Sequence, residues 1–261
     1  MSLVLQSHLP IAAWMEARTA RLPGVQPVEG EDWLQIDDAF AAQMAERDRL
    51  VATRLPEVVA LLPQGRAAAE ELYAVILARL ATTPGYRIGA GEATRPDGVT
   101  VALDPARPLE TLARLVQEDL CLMEKAEGQA EHVLTGAALC FPASWSLDEK
   151  LGRPLIGIHR TVRPYDPDIA RRVQRMFDLL RPDQALWRMN ALVYVNPDLH
   201  QPGREDSPRT DRRSGQFVRA ERQTLKRLPK TGAILFAIHT YVVRLDSLSD
   251  EERAGLETAR L

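Results

Sequence analysis

Residues 216–243, QFVRAERQTLKRLPKTGAILFAIHTYVV, set charged and hydrogen-bonding side chains inside two runs that otherwise read as β-strands. Alternation along a strand puts Phe217, Arg219, Glu221, Gln223 and Leu225 on one face, so three polar groups lie between two apolar ones. A partly desolvated carboxylate there can hold a cation or relay a proton. The commoner outcome is an ion-pair network in which Arg219 and Arg222 neutralise Glu221. The second run, 233–243, is apolar on both faces, as a buried central strand is, yet His239 and Tyr241 share a face with Ala233, Leu235 and Ala237. Together these features imply a pocket wall carrying a few fixed polar groups.

Of the five histidines, His159 and His239 stand in settings that imply burial: His159 closes the apolar run LIGI, and His239 lies inside the second strand. An imidazole flanked by hydrophobes suits the axial position of a haem, although a hydrogen-bonded core role is the more frequent one. On the preceding strand Arg188 and Asn190 alternate with Trp187 and Met189 and can anchor an acidic group through charge-assisted bonds; a solvated sheet face is the plainer reading. No H-E-x-x-H or G-x-S-x-G string occurs, which disfavours a zinc hydrolase and a serine hydrolase. Gly89-x-Gly91 opens no helix, so it makes no phosphate loop. Cys121 and Cys140 sit in apolar runs and read as small buried hydrophobes.

The elements that must position these groups follow from periodicity. Apolar spacing predicts amphipathic helices over 33–51 and 65–81, and a further helix from 108 to 120. Gly, Pro and Thr make 82–107 a turn-rich connection with room for short strands. Two strands are expected in 120–126 and 132–145, then a short helix opened by a Ser146/Glu149 capping box and closed by Gly152 and Pro154. Asp166 before Pro167 should cap a helix with the stripe Ile169, Val173, Met176, Phe177 and Leu180. A strand follows over 185–195. Residues 201–215 are polar and turn-rich, a solvated connection or a loop over the pocket. Ser249 and Glu252 cap a final helix. The sum is an α+β chain: a largely antiparallel sheet with flanking helices over 108–261, and a helical region over 1–107 packed against it as one compact unit.

Composition is that of an ordinary globular protein, 45% hydrophobic and 26% charged. A net charge of −3 with Lys and Arg spread along the chain gives no footprint for nucleic acid. The first residues lack a basic segment ahead of a long apolar run, and nowhere do eighteen apolar residues follow one another; a cytoplasmic protein that does not enter membranes is expected.

Four strings carry a resemblance: VQEDLCLM (116–123), LCFPASWSLDEKLGRPLIGIH (139–159), LWRMNALVYV (186–195) and FVRAERQTLKRLPKTGAILFAIHTY (217–241). In this order, over about half the chain, they resemble the haem-dependent oxidative N-demethylases, the haem-binding subunit of dimethylamine monooxygenase. The resemblance implies a PAS-like fold around haem b, and oxidative removal of a methyl group from a small secondary amine, giving methylamine and formaldehyde with consumption of O2. It also implies that His159 binds the iron and that Glu221 lies by the distal pocket with Arg219, Arg222 and Gln223 as neighbours. Where the family pattern leads one to expect Pro-Val-Pro after the histidine, this chain reads Thr161, Val162, Arg163.

Activating oxygen at haem takes electrons from outside. The sequence has no dinucleotide fingerprint and too few cysteines for a cluster, so a separate reductase is expected; the resemblance implies partner subunits carrying flavin and iron–sulfur, in a homo- or hetero-oligomer. Three rival readings stand beside this one: a haem-binding gas or redox sensor without catalysis, a thiolate-bound haem through Cys121 or Cys140, and a haem-free scaffold. Within the demethylase reading, His239 is the alternative iron ligand to His159.

Overall fold

The computed structural model describes residues 3–16, 24–160, 167–205 and 214–259. In chain order its elements are β1 (Gln26–Pro27), α1 (Phe40–Val58), β2 (Val59–Leu61), α2 (Arg66–Leu80), β3 (Arg87–Ile88), β4 (Glu92–Thr94), β5 (Thr100–Ala102) and α3 (Pro108–Ala113). Then come β6 (Asp119–Glu124), β7 (Val133–Ala138), α4 (Leu147–Lys150), α5 (Leu155–Ile158), α6 (Pro167–Leu179), β8 (Ala185–Tyr194), β9 (Phe217–Arg227), β10 (Ile234–Arg244) and α7 (Asp250–Thr258). β3, β4 and β5 make a small sheet; the others join in one sheet ordered β1-β8-β9-β10-β6-β7-β2, every pair antiparallel. The chain is thus α+β, with its longest strands, β8 to β10, in the second half.

β9 and β10 are the longest strands and sit at the centre, where β-branched and aromatic residues bury on both faces. Their hairpin closes through Leu228 N–H to Ala233 O and turns at Gly232, whose φ of +74° lies where only glycine sits without strain. Glu71 of α2 fastens this turn by accepting the Lys230 and Thr231 backbone N–H groups.

Each face of the sheet has its own cover. One face, carrying Leu120, Leu122, Leu235 and Ala237, packs in a continuous core with Met44 and Leu50 of α1, Leu72 and Ile76 of α2 and Leu112 of α3. Farther along the same face Met189, Val218, Ala220 and Tyr241 meet Trp14 and Leu256. The opposite face, with Cys121, Leu186, Leu225, Ile234 and Phe236, is covered by Leu147, Leu155, Ile158, Phe177 and Leu180 from α4 to α6 and the residue that follows.

Differences from the sequence expectations have local causes. α1 starts at Phe40 because residues 33–39 are turns held by side chains, among them Asp37 Oδ1 accepting the Ala39 N–H. It runs on to Val58, and Arg54, two residues before Pro56, leaves helical geometry at φ −137°. α3 stops at Ala113 because the buried Arg47 guanidinium takes the carbonyls of Ala113, Gln117 and Glu118, and the chain is already extended by Asp119. Arg47 also pairs with Asp119 at 2.8 Å. Ser146 stands before α4 as expected, but its hydroxyl bonds the Glu149 carboxylate at 3.3 Å and not a backbone N–H. The full box forms at α7 between Ser249 and Glu252. The Asp166 cap, the Thr161–Val162–Arg163 departure and residues 206–213 of the polar loop lie outside the described residues.

Candidate haem and amine site

Register brings three polar side chains together across the central strands: Asn190 of β8, Glu221 of β9 and Thr240 of β10 stand opposite one another on the face covered by α4 to α6. Directly opposed residues share a face, so Arg188, Arg219 and Gln223 lie there too. Arg188 Nη1 donates to Gln223 Oε1 at 3.3 Å, and Gln223 Nε2 donates to Glu221 Oε2 at 3.2 Å. From the other side Arg219 brings Nε to 3.5 Å from Glu221 Oε1 while its Nη1 and Nη2 donate to Leu199 O and Phe141 O. Both carboxylate oxygens are therefore oriented, and at 15% side-chain exposure Glu221 can still be reached.

This face is under-satisfied. Among the described residues, buried side-chain atoms without a hydrogen-bond partner include Arg188 Nε, Arg219 Nε and Thr240 Oγ1, all on this face around Glu221. Buried polar groups in folded proteins are nearly always paired, so a cluster of orphans marks a place built for something else. Burial pushes the Arg188 guanidinium below its ordinary pKa, and only the Glu221 charge opposes this.

His159 follows α5, a single turn whose ends are tied from outside because four residues cannot hold a helix alone. Glu131 accepts the Ile156 N–H, His132 O accepts the Leu155 N–H, and Lys150 Nζ donates to Ile158 O at 2.7 Å. The Leu155 carbonyl accepts both the backbone N–H of His159 and its ring Nδ1–H, the latter at 2.9 Å. With Nδ1 as donor, the lone pair is on Nε2, the arrangement a metal-binding histidine needs. Burial, more than any charge, pushes the imidazole pKa down; the Lys150 and Arg188 cations add to that and the Leu155 bond opposes it. The Arg188 charge thus bears on His159, and the Glu221 charge on Arg188.

His239, Tyr241 and Arg222 are not part of it, which corrects the expectation that they share a pocket with Glu221. They lie on the opposite face of the sheet. His239 Nδ1 is 3.1 Å from Glu118 Oε1 and Nε2 is 3.0 Å from Asp37 Oδ2, so both nitrogens are engaged by carboxylates and neither offers a lone pair to iron. Burial lowers this imidazole's pKa, but the hydrogen bonds and charges of Asp37 and Glu118 win and raise it to about 9. The Tyr241 ring leans on His239, tilted by 52° with ring centroids 4.6 Å apart, and Arg222 lies over Trp187 at 5.1 Å with Asp32 at 3.4 Å. Both cysteines are buried, and burial pushes their thiols up, Cys140 to about 12, which works against a thiolate ligand.

Sequence reasoning missed three groups. His132 is as buried as His239, pinned by Gln174 and edge-on to Phe177, but it ends the polar string EGQAEH, which gives no burial signal. Thr240 was hidden between two more conspicuous neighbours; counting the register out from the hairpin turn would have found it opposite Glu221. Lys150 and Glu205 are fifty-five positions apart and no local pattern links them.

A model of the family described as haem-dependent oxidative N-demethylase, alpha subunit-like, matches residues 24–261. The chain belongs to that family. As a haem-dependent oxidative N-demethylase-like protein it should hold the group in its own side chains, and the site fits that requirement. One histidine has its tautomer fixed by a backbone carbonyl, an apolar cover of Leu155, Ile158, Leu186 and Phe236 lies close by, and unpaired guanidinium nitrogen is available to an acidic group. Among the described residues no helix is long and apolar enough to cross a membrane.

Proposed function

We propose that this family member is a monooxygenase that removes a methyl group from a small secondary amine such as dimethylamine, giving methylamine and formaldehyde. The observation that carries it is the under-satisfied polar face around Glu221, on the side of the sheet covered by the helices that lead to His159, whose ring Nδ1–H is held by a backbone carbonyl. The strand arrangement supports a PAS-like core: counted in chain order from β6, the central five strands run 2-1-5-4-3, with α4 to α6 between the second and third.

His159 would bind the iron of haem b, with Arg188 and Asn190 placed to hold its propionates. When bound, haem supplies the activation of O2 that oxidises the methyl group, with electrons from partners carrying flavin and iron–sulfur. The chain's own residues handle the amine. A dialkylamine is a cation near neutral pH, and Glu221 is a carboxylate on this face, its two oxygens aimed by Arg219 and Gln223. It binds the ammonium and takes its proton; once the methyl carbon carries a hydroxyl, that proton returns to nitrogen as the C–N bond breaks and the hydroxyl loses its own, which releases methylamine and formaldehyde. Held by Arg219 and Gln223 of its own strand, the carboxylate is oriented before the substrate arrives, which is how positioning lowers a barrier.

Glu221→Gln should leave the haem spectrum intact while suppressing formaldehyde release on addition of dimethylamine and a reductant. Unchanged turnover would remove Glu221 from the mechanism. An amine-induced shift of the Soret band separates this reading from a sensor that binds only diatomic gases.

A further inference from the structure

The segment after β8 reaches back to the turn that carries His159. Glu205, with a side chain 8% exposed, gathers three cations from one stretch of chain: Lys150 Nζ at 2.5 Å and Arg153 Nη1 at 3.0 Å precede His159, and Arg160 follows it directly. Lys150 is itself buried, its side chain only 4% exposed, and its ammonium does two things at once. It pairs with Glu205 and it donates to Ile158 O, the carbonyl one residue before His159. A buried ammonium is held only where its donors are used, and here one of them ends on the backbone of the histidine's own turn.

Surrounding contacts make the arrangement specific. The Glu205 backbone N–H donates to Glu149 Oε2 at 3.2 Å, Arg204 pairs with Asp148 at 3.0 Å, and Gln201 exchanges backbone bonds with Pro142 and Ser144. The strap 200–205 is thus laid along α4 and ends on the ion cluster. α5 has too few residues to hold its last carbonyl by itself, and Lys150 supplies the missing donor.

We propose that Lys150 and Glu205 are a positioning pair for His159: they fix the height and tilt of its turn and set the local charge felt by the group that the histidine binds. This rests on the reading of His159 as the haem ligand. Two consequences follow, of different kinds. Geometrically, loss of the Lys150 bond to Ile158 O lets the turn relax and alters the ligand field. Electrostatically, removing the cation favours the oxidised iron, and removing the carboxylate favours the reduced iron, so the two losses act in opposite directions on the reduction potential.

The test is potentiometric titration and ferric EPR of the full chain loaded with haem, for Lys150→Met, Glu205→Gln and Lys150→Arg. Expected are a potential lowered by Lys150→Met and raised by Glu205→Gln, each with altered ferric g-values, and wild-type values for Lys150→Arg, which keeps charge and donors. If Lys150→Met does not fold, the upward shift in Glu205→Gln and the restoration by Lys150→Arg decide the matter. Shifts of the same sign in both variants, or none, overturn the proposal. A His159→Ala protein that keeps the wild-type haem spectrum overturns instead the reading on which it rests.

Discussion

The two faces of the central sheet each carry a buried cluster of charged side chains, and they differ in how completely those side chains are satisfied. On the face covered by α1 to α3, His239 is sandwiched between Asp37 and Glu118, and Asp37 also accepts from Gln6, Gln117 and the Ala39 N–H; the single atom of this cluster left without a partner among the described residues is Glu118 Oε2. On the other, Glu221 is surrounded by Arg188, Arg219 and Thr240, each with a buried polar atom left over. Charge and burial are alike on both sides. What separates a structural cluster from a chemical one is whether the protein has used up its own donors and acceptors, because a site must keep some for its ligand.

His239→Leu strikes the satisfied cluster hardest. It leaves Asp37 and Glu118 facing each other without a cation, and should cost about 3–5 kcal/mol of stability by urea unfolding. The folded fraction should still bind haem with an unchanged spectrum. A loss of haem binding from folded protein would break the comparison, because it would bring His239 into the site.

The pH dependence of stability probes the same cluster without mutation. With a folded pKa of about 9 against about 6.5 when unfolded, the His239 imidazolium contributes fully below pH 6.5, and this contribution is lost as pH rises through 9. A decline on the order of 3 kcal/mol between those values is expected, and it should be absent in His239→Leu. Asp37, whose pKa is lowered against the pull of burial mainly by His239, acts at the other end: its share is present above its ordinary carboxylate range and fades as pH falls below it.

The unsatisfied face should respond in the opposite sense. Glu221→Gln should reduce formaldehyde production about 100-fold or more while changing stability by about 1 kcal/mol or less. Smallest of all should be the thermal effect of Thr240→Val. Its hydroxyl is buried without a partner, so an isosteric methyl should leave the melting temperature unchanged or raise it slightly. A clear destabilisation would mean that the hydroxyl is already satisfied and that the face is structural.

The sheet was legible because its signals are local. Period-two alternation in 217–227 and the double-faced apolar run in 234–244 are read directly from the chain, and both strands form as the alternation requires. The α7 capping box was legible for the same reason. Which polar residues meet was less so. Periodicity placed Glu221 with Arg219 and Gln223, but it could not say that His239 faces the other way, since that depends on register across a hairpin. The end of α3 was hidden too, because Arg47, far back in the chain, competes for its carbonyls. The Lys150–Glu205 pair left no trace at all in sequence spacing.

His159 is proposed here to hold a haem on the Glu221 face. The most direct test is absorption spectroscopy of the purified chain titrated with haem, ferric and ferrous, beside the His159→Ala and His239→Leu proteins. Expected are a stoichiometric Soret band in the wild type and in folded His239→Leu, shifted by dimethylamine, and its loss or marked change in His159→Ala. A band that survives unaltered in His159→Ala, or never forms in the wild type, would contradict the proposal.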